Sequence, residues 1–388
     1  GTLAGRYLRL FWQPVAVSRQ LEPGRARPVR IMSEDFTLYR GEAKTERVIP
    51  TEGRNPYPNV VVTASSAPRR NDTVGGEASP HLLAFRCAHR GTQLSTGWVE
   101  GDDLRCFYHG WKYGPDGRCI EQPAEPEPFC DRIKIRAYPT EEYLGLVFAY
   151  LGLGEPPPLP RYPVFEAYDG VRLTSGGGIW PCNFFNRLDN DPIHAAFVHR
   201  QHHGTPPLVE AWETDSGLAY RATHAGGHSG VAYHYMPNSI HYSAYPVPGT
   251  TERWQGLSWR VPVDDEHTIS FNIRIIPAHG EVAERYESGD WGKGFSPTSP
   301  AELAQAVLRG EMPVEELETI PNALEAQDYV SLIGLGAIPD HTQEHLGRED
   351  ATVVFYRNLW KREMRKLAEG QPLKAWRDYG VAAATGGE

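Results

Sequence analysis

The sequence predicts an α+β chain of two domains. An N-terminal all-β domain is followed by an antiparallel sheet packed with long late helices. Three observations predict this. Short apolar runs separated by glycine turns continue to about residue 150. A stiff proline stretch, Gly152 to Pro163 with Pro156-Pro157-Pro158, then interrupts the pattern. Beyond it, strand-like runs come first and most of the helical ones come late. The boundary is placed at that stretch, giving domains 1–155 and 156–388. A chain of 388 residues is long enough for two domains and a large core.

The first element is an apolar entry segment, Arg6 to Val15, with Pro14 expected to end any helix. Val29–Met32 and Phe36–Arg40 read as short strands, as does Leu82–Phe85. Between them, Lys44 to Gly76 is rich in Pro, Asn, Ser, Thr, Arg and Gly, and only Asn59–Thr63 has strand character. In the second domain, Val231–Tyr235, Ser239–Tyr245, Gly256–Val261 and Thr268–Ile276 read as strands, with Trp259 and Phe271 in the core. Asp191–His199, Ala301–Leu308, Glu315–Leu332 and a piece near Lys361–Glu369 read as helical. No internal repeat is visible.

Composition narrows the function. The balance of 39 basic and 49 acidic residues gives a net charge of −10, which argues against nucleic-acid binding. An anionic small substrate stays open, because a few buried arginines can outweigh a diffuse negative surface. The five cysteines are Cys87, Cys106, Cys119, Cys130 and Cys182. They lack the spacing of a disulfide framework, which points to a reducing, cytoplasmic setting. Cys119 and Cys130 read as small buried or half-buried residues. The longest apolar run, Tyr143–Leu153, is too short to span a bilayer, and the N-terminus lacks a signal-peptide pattern. The Gly1 start reads as a processed end.

The chemistry begins at Cys87, His89, Cys106 and His109, spaced C-x-H-x16-C-x2-H. Each short hook offers one thiolate and one imidazole. A Rieske [2Fe–2S] centre needs that set, two Cys on one iron and two His on the other. The competing reading is a Cys2His2 zinc site, but zinc fingers pair Cys with Cys and His with His. Gly91 and Gly110 let the backbone come close to the sulfurs. The run from about His81 to Pro123, with Phe85-Arg86-Cys87 and Tyr108-His109-Gly110-Trp111-Lys112-Tyr113, resembles the Rieske non-haem iron ring-hydroxylating oxygenases, in particular their phthalate-oxygenase-like branch.

A second motif, Asp191-Pro192-Ile193-His194 with His199, reads D-x-x-H-x-x-x-x-H. Two imidazoles and a distant carboxylate make a facial triad that leaves positions on Fe(II) open. Residues five apart on a regular helix sit about 140° apart. His194 and His199 therefore demand a π-bulge or local unwinding between them. His202 and His203 read as loop residues and His341 and His345 as solvent-facing. Of His224, His228, His234 and His241, one or two are expected at the cavity.

The resemblance implies a Rieske domain followed by a helix-grip catalytic domain. It implies that the third iron ligand is an Asp on a late helix, where Asp328 fits and Asp340, Asp350 and Glu325 compete. It implies that Asp191 carries electrons from His109 of one subunit to His194 of the next, across a trimer interface. Asp189-Asn190 sit closer to Asp191 than the family's pattern has them, so Asp189 remains an alternative bridge. About thirty residues within 43–77 look inserted, and their composition predicts an exposed segment. A reductase, with or without a ferredoxin, would deliver electrons from NAD(P)H. The oxygenase would then hydroxylate or dihydroxylate a small aromatic compound, an aromatic carboxylate first of all. O- or N-demethylation is the alternative, and a Rieske electron carrier is the rival from another class.

Overall fold

The computed structural model describes residues 2–42, 78–190, 194–199, 205–227, 229–247, 252–288, 298–320 and 323–380. The inserted segment 43–77 lies outside the described residues, as do Asp191, His202, His203 and His228.

In chain order, α1 (Leu3–Leu8) and β1 (Trp12–Val17) lead into β2 (Ala26–Ile31), β3 (Glu34–Arg40) and β4 (Pro80–Ala84). Next come β5 (Trp98–Glu100), β6 (Asp103–Arg105), β7 (Lys112–Tyr113), β8 (Cys119–Glu121), β9 (Ala137–Tyr138), β10 (Thr140–Tyr143) and β11 (Leu146–Tyr150). Then follow α2 (Pro163–Glu166), β12 (Val171–Trp180), α3 (Phe184–Leu188) and α4 (His194–Phe197). Five strands come next: β13 (Leu208–Glu213), β14 (Gly217–Thr223), β15 (Ser229–Tyr235), β16 (Ser239–Pro246) and β17 (Arg253–Pro262). The chain continues with β18 (Thr268–Ile276), α5 (Gly280–Glu287), α6 (Pro300–Leu308), α7 (Leu324–Gly334) and α8 (Ala351–Ala368).

Two compact units result. One holds Arg19–Val29 and Asp35–Thr140; the other holds Gly1–Ser18, Arg30–Glu34 and Glu141–Glu388. The smaller unit is built on two four-stranded sheets, β2-β3-β4-β9 and β5-β6-β7-β8. Its core joins Tyr39, Leu83, Leu94, Leu104, Trp111 and Tyr113 to Cys87 and Cys106. Leu83, Leu94 and Leu104 are fully buried, each contributing roughly 2 kcal/mol.

The larger unit carries a seven-stranded antiparallel sheet ordered β12-β18-β17-β16-β15-β14-β13. Strand alternation gives it two unlike faces. In the β17–β18 pair, Leu257, Trp259, Val261, Phe271 and Ile273 point one way and are buried. Ser258, Arg260, Ser270 and Asn272 point the other way. The first eighteen residues join this unit because β1 pairs antiparallel with β11 in a three-stranded sheet.

Three expectations are corrected. Pro14 lies within β1, where the register shifts between Pro14 and Ala16; the helix before it ends at Leu8. A bulge tolerates the missing N–H. The helix expected over Glu315–Leu332 is a 3-10 turn at Val314–Thr319 and a separate α7. Ile320 is extended, as the residue before Pro321 must be. The last helix is longer than the piece near Lys361–Glu369, running from Ala351 to Ala368. It buries Thr352, Val353, Tyr356, Leu359, Trp360 and Glu363, a helical stripe that includes polar residues and so escapes a purely apolar pattern. Among the described residues, no helix is long and apolar enough to cross a membrane.

Candidate metal centres

The two cysteine hooks of the smaller unit fold the same way. Gly91 N–H donates to the Cys87 carbonyl at 2.9 Å and Gly110 N–H to the Cys106 carbonyl at 3.0 Å. Cys87 N–H donates to Thr92 and Cys106 N–H to Trp111, each at 2.8 Å. Gly91 and Gly110 take φ of 77° and 73°, the left-handed conformation that glycine adopts without strain. The repeated turn brings the two hooks together: the His89 and His109 rings lie 4.6 Å apart, and His89 stacks on Trp111 at 4.7 Å.

Burial grades the set. Cys87 and Cys106 are 3% and 2% exposed, whereas His89 and His109 are only half-buried. Burial raises the Cys106 pKa, partly offset by the backbone N–H groups of Tyr108 and His109 that reach its sulfur. The Tyr113 hydroxyl accepts from Ala88 N–H and lies 3.1 Å from Cys87 Sγ, so its own proton is free for that sulfur. Arg105 pins the second hook, donating to the Gly110 carbonyl and to Glu100 and Glu121. His89 Nδ1 is buried without a hydrogen-bond partner. An orphaned ring nitrogen beside two buried sulfurs fits a metal cluster. The specific role of Tyr113 was not read from the sequence, although it lies at the end of the motif.

In the larger unit, His194 opens α4, which ends at Phe197; His199 lies in a bend beyond it. The unwinding turns the two rings to 5.0 Å apart at 78°. Asp328 of α7 meets them, with Oδ1 at 3.3 Å from His194 Nε2 and 3.2 Å from His199 Nε2. One ligand-type atom from each of the three lies within 4.8 Å of the others. Burial would raise the Asp328 pKa, but the two imidazoles beside its Oδ1 hold it well below the usual carboxylate range. No well-aligned hydrogen bond reaches Asp328 Oδ1. Close donors without hydrogen-bond alignment fit a shared cation. Gln327 Oε1 lies 2.9 Å from His199 Nδ1. An amide oxygen can only accept, so Nδ1 carries the proton and Nε2 keeps its lone pair for a metal. Sequence reasoning missed Gln327; its position beside Asp328 was the available signal.

The competing carboxylates are elsewhere. Asp340 caps Thr342, Asp350 accepts from Gly347 N–H, and Glu325 is exposed. His341 and His345 are exposed. His234 and His241 are buried, and His241 is held by Tyr235 and Gln255. Cys119 is buried and Cys130 half-buried, and all five cysteines are free.

Asp189, the alternative bridge, caps α3 and accepts from Arg357 Nε at 2.8 Å. The same guanidinium binds Glu344. Burial pushes the Asp189 pKa up to about 6 against the opposing pull of Arg357. Arg357→Ala would strand a buried carboxyl, at a cost of about 3 kcal/mol or more. Chemical denaturation at neutral pH checks this, and an unchanged midpoint contradicts it.

The comparisons agree with this layout. A Rieske [2Fe-2S] domain model matches residues 11–139. The chain is 30% identical to the phenoxybenzoate dioxygenase subunit alpha of Ectopseudomonas oleovorans, over 95% of this chain and 84% of that one. It is 28% identical to the 5,5'-dehydrodivanillate O-demethylase oxygenase subunit of Sphingobium sp. (strain NBRC 103272 / SYK-6), over 97% and 80%. The solved reduced complex between oxygenase and ferredoxin in carbazole 1,9a-dioxygenase shares the fold, with TM-score 0.61 and 20% identity over 95% of this chain and 94% of that one. A Rieske domain followed by an antiparallel sheet with helices defines the class, an oxygenase with a [2Fe–2S] cluster and a mononuclear iron. This chain belongs to the Rieske non-haem iron oxygenases, as an oxygenase component of their aromatic dioxygenase and demethylase systems. The zinc and electron-carrier readings are thereby set aside.

Proposed function

We propose that this oxygenase inserts oxygen into a small aromatic acid, with Cys87 and Cys106 on one cluster iron, His89 and His109 on the other, and His194, His199 and Asp328 on the mononuclear iron. The observation that carries the reading is the meeting of Asp328 with His194 and His199. In function the division assigns the cluster to 1–155 and the mononuclear iron to 156–388. The aromatic acid follows the names of the relatives, a phenoxybenzoate dioxygenase and a dehydrodivanillate demethylase.

When bound, the two metal groups supply one-electron transfer and the reduction of O2. The residues set the conditions. Tyr113 and the Tyr108 and His109 amides direct hydrogen bonds at the cysteine sulfurs, which would stabilise the reduced state of a cluster held there. Gln327 fixes the His199 tautomer. Two electrons and two protons per O2 give a hydroxylated product and water; both oxygen atoms enter the ring in dihydroxylation. Hydroxylation of a methoxy carbon instead releases formaldehyde. A reductase, with or without a ferredoxin, would bring the electrons from NAD(P)H. The free cysteines suit a reducing, cytoplasmic setting.

The test is iron content with single-turnover product analysis. Two cluster irons plus one are expected per chain. A two-iron chain that still turns over overturns the ligand assignment. Formaldehyde in the products decides for demethylation.

Asp191, outside the described residues, is assigned the bridge between His109 of one subunit and His194 of the next, which requires a closed ring such as a trimer. Asp191→Asn should leave both metal sites and the oligomer intact. It should slow reoxidation of the reduced cluster severely, because the charged acceptor between two imidazoles is gone. Wild-type reoxidation would shift the role to Asp189. An active monomer would remove the intersubunit route.

A further inference from the structure

Two arginines in the larger unit carry charge that no carboxylate among the described residues neutralises at ion-pair distance. Arg187 projects from α3 and Arg260 from the polar face of β17. Both Nη1 atoms donate to the same acceptor, Ser270 Oγ, each at 2.8 Å. Ser270 stands opposite Arg260 across the β17–β18 pair. Among the described residues, neither guanidinium has a carboxylate within ion-pair distance, and both Nε atoms are buried without a hydrogen-bond partner. Buried cations are ordinarily paired. Two of them joined through one hydroxyl oxygen are an unbalanced arrangement.

The arrangement is also built and reachable. Arg187 is held over the Trp180 ring, Cζ to centroid 3.6 Å. Trp180 packs in turn on Tyr329, centroids 4.5 Å apart, the residue next to Asp328. Asn186 donates to the Gly336 carbonyl just past α7, which ties α3 to the helix that carries Asp328. Ser258 and Asn272, on the same sheet face, are hydrogen-bonded to each other. Both arginines nevertheless keep some accessible surface. Burial first, then Arg260, pushes the Arg187 pKa well below its usual value; Glu325 and Asp328 oppose this only from a distance. A guanidinium stays protonated even so. An entering anion would therefore relieve the repulsion and collect the uncommitted N–H donors.

We propose that Arg187 and Arg260 form the subsite that holds the carboxylate of the aromatic substrate, placing its ring beside the His194–His199–Asp328 centre. The assignment rests on the oxygenase reading above and adds the residues that select an acid. A planar fork presented by each arginine matches a carboxylate's two oxygens.

The test uses the purified holoprotein with benzoate and benzamide as probes, which share shape and differ in charge. Calorimetry should show benzoate binding at least about tenfold more tightly than benzamide. Arg187→Gln and Arg260→Gln should each lose most of that preference. Equal binding of the two probes to the wild-type chain overturns the proposal, whether or not the variants fold. A preserved preference in variants that keep the cluster spectrum overturns it as well. Iron content measured on the same samples separates the two readings. Full iron with no benzoate preference removes the subsite alone, whereas a missing mononuclear iron removes the His194–His199–Asp328 ligand assignment on which it rests.

Discussion

His194→Ala should abolish product formation while the visible spectrum of the cluster persists. The two metal-type sets lie in separate compact units, Cys87 to His109 in one and His194, His199 and Asp328 in the other. Removing one imidazole leaves a single His and Asp328, too few donors to hold a facial site against water. The cluster hooks gain their shape from their own turns, which the substitution leaves alone. Iron should fall by one per chain on the three-iron count of the proposed assignment. Asp328→Asn should behave similarly, since a neutral amide replaces the anionic oxygen that meets both rings. Metal analysis beside single-turnover product formation checks both. A bleached cluster in either variant would show that the sites are not separable. Undiminished product would remove these residues from the chemistry.

Cys106→Ala should do the reverse and cost stability as well. Cys106 is 2% exposed and packs in the smaller unit's core with Leu104, Trp111 and Tyr113. Its loss removes a thiolate that a cluster requires. It also removes the stabilisation that cluster binding lends to the surrounding fold, so about 3 kcal/mol or more should go. The expected result is loss of visible absorption and a lower unfolding temperature. Retained absorption would mean that Cys106 is not a ligand.

These two experiments probe residues legible without any structure, for a physical reason. Cys87–His89 and Cys106–His109 each close within one short turn, so spacing alone reports their geometry. His194 and His199 are five apart, and the demand for unwinding follows from helix pitch; the helix does end at Phe197. The late strands were also legible, because alternation over β15 to β18 is a local pattern. Residues 43–77 and Asp191 lie outside the described residues, so their readings stay where the sequence left them.

By itself the sequence marked the two Cys–His hooks and the His194–His199 pair as candidate donors, pointed to the family and gave the order of sheet before helix, all of which depend on neighbours a few residues apart. Tertiary structure decided what depends on distant partners. It brought Asp328, and not Asp340, Asp350 or Glu325, beside the histidines. It set Gln327 behind His199 across 128 residues of chain. It tied Asp189 to Arg357 and joined Arg187 and Arg260 at Ser270. It also returned β1 to β11, so that the first eighteen residues belong to the later unit. Such pairings are selected by packing and charge between segments that leave no mutual imprint on local spacing, and only the folded chain reveals them.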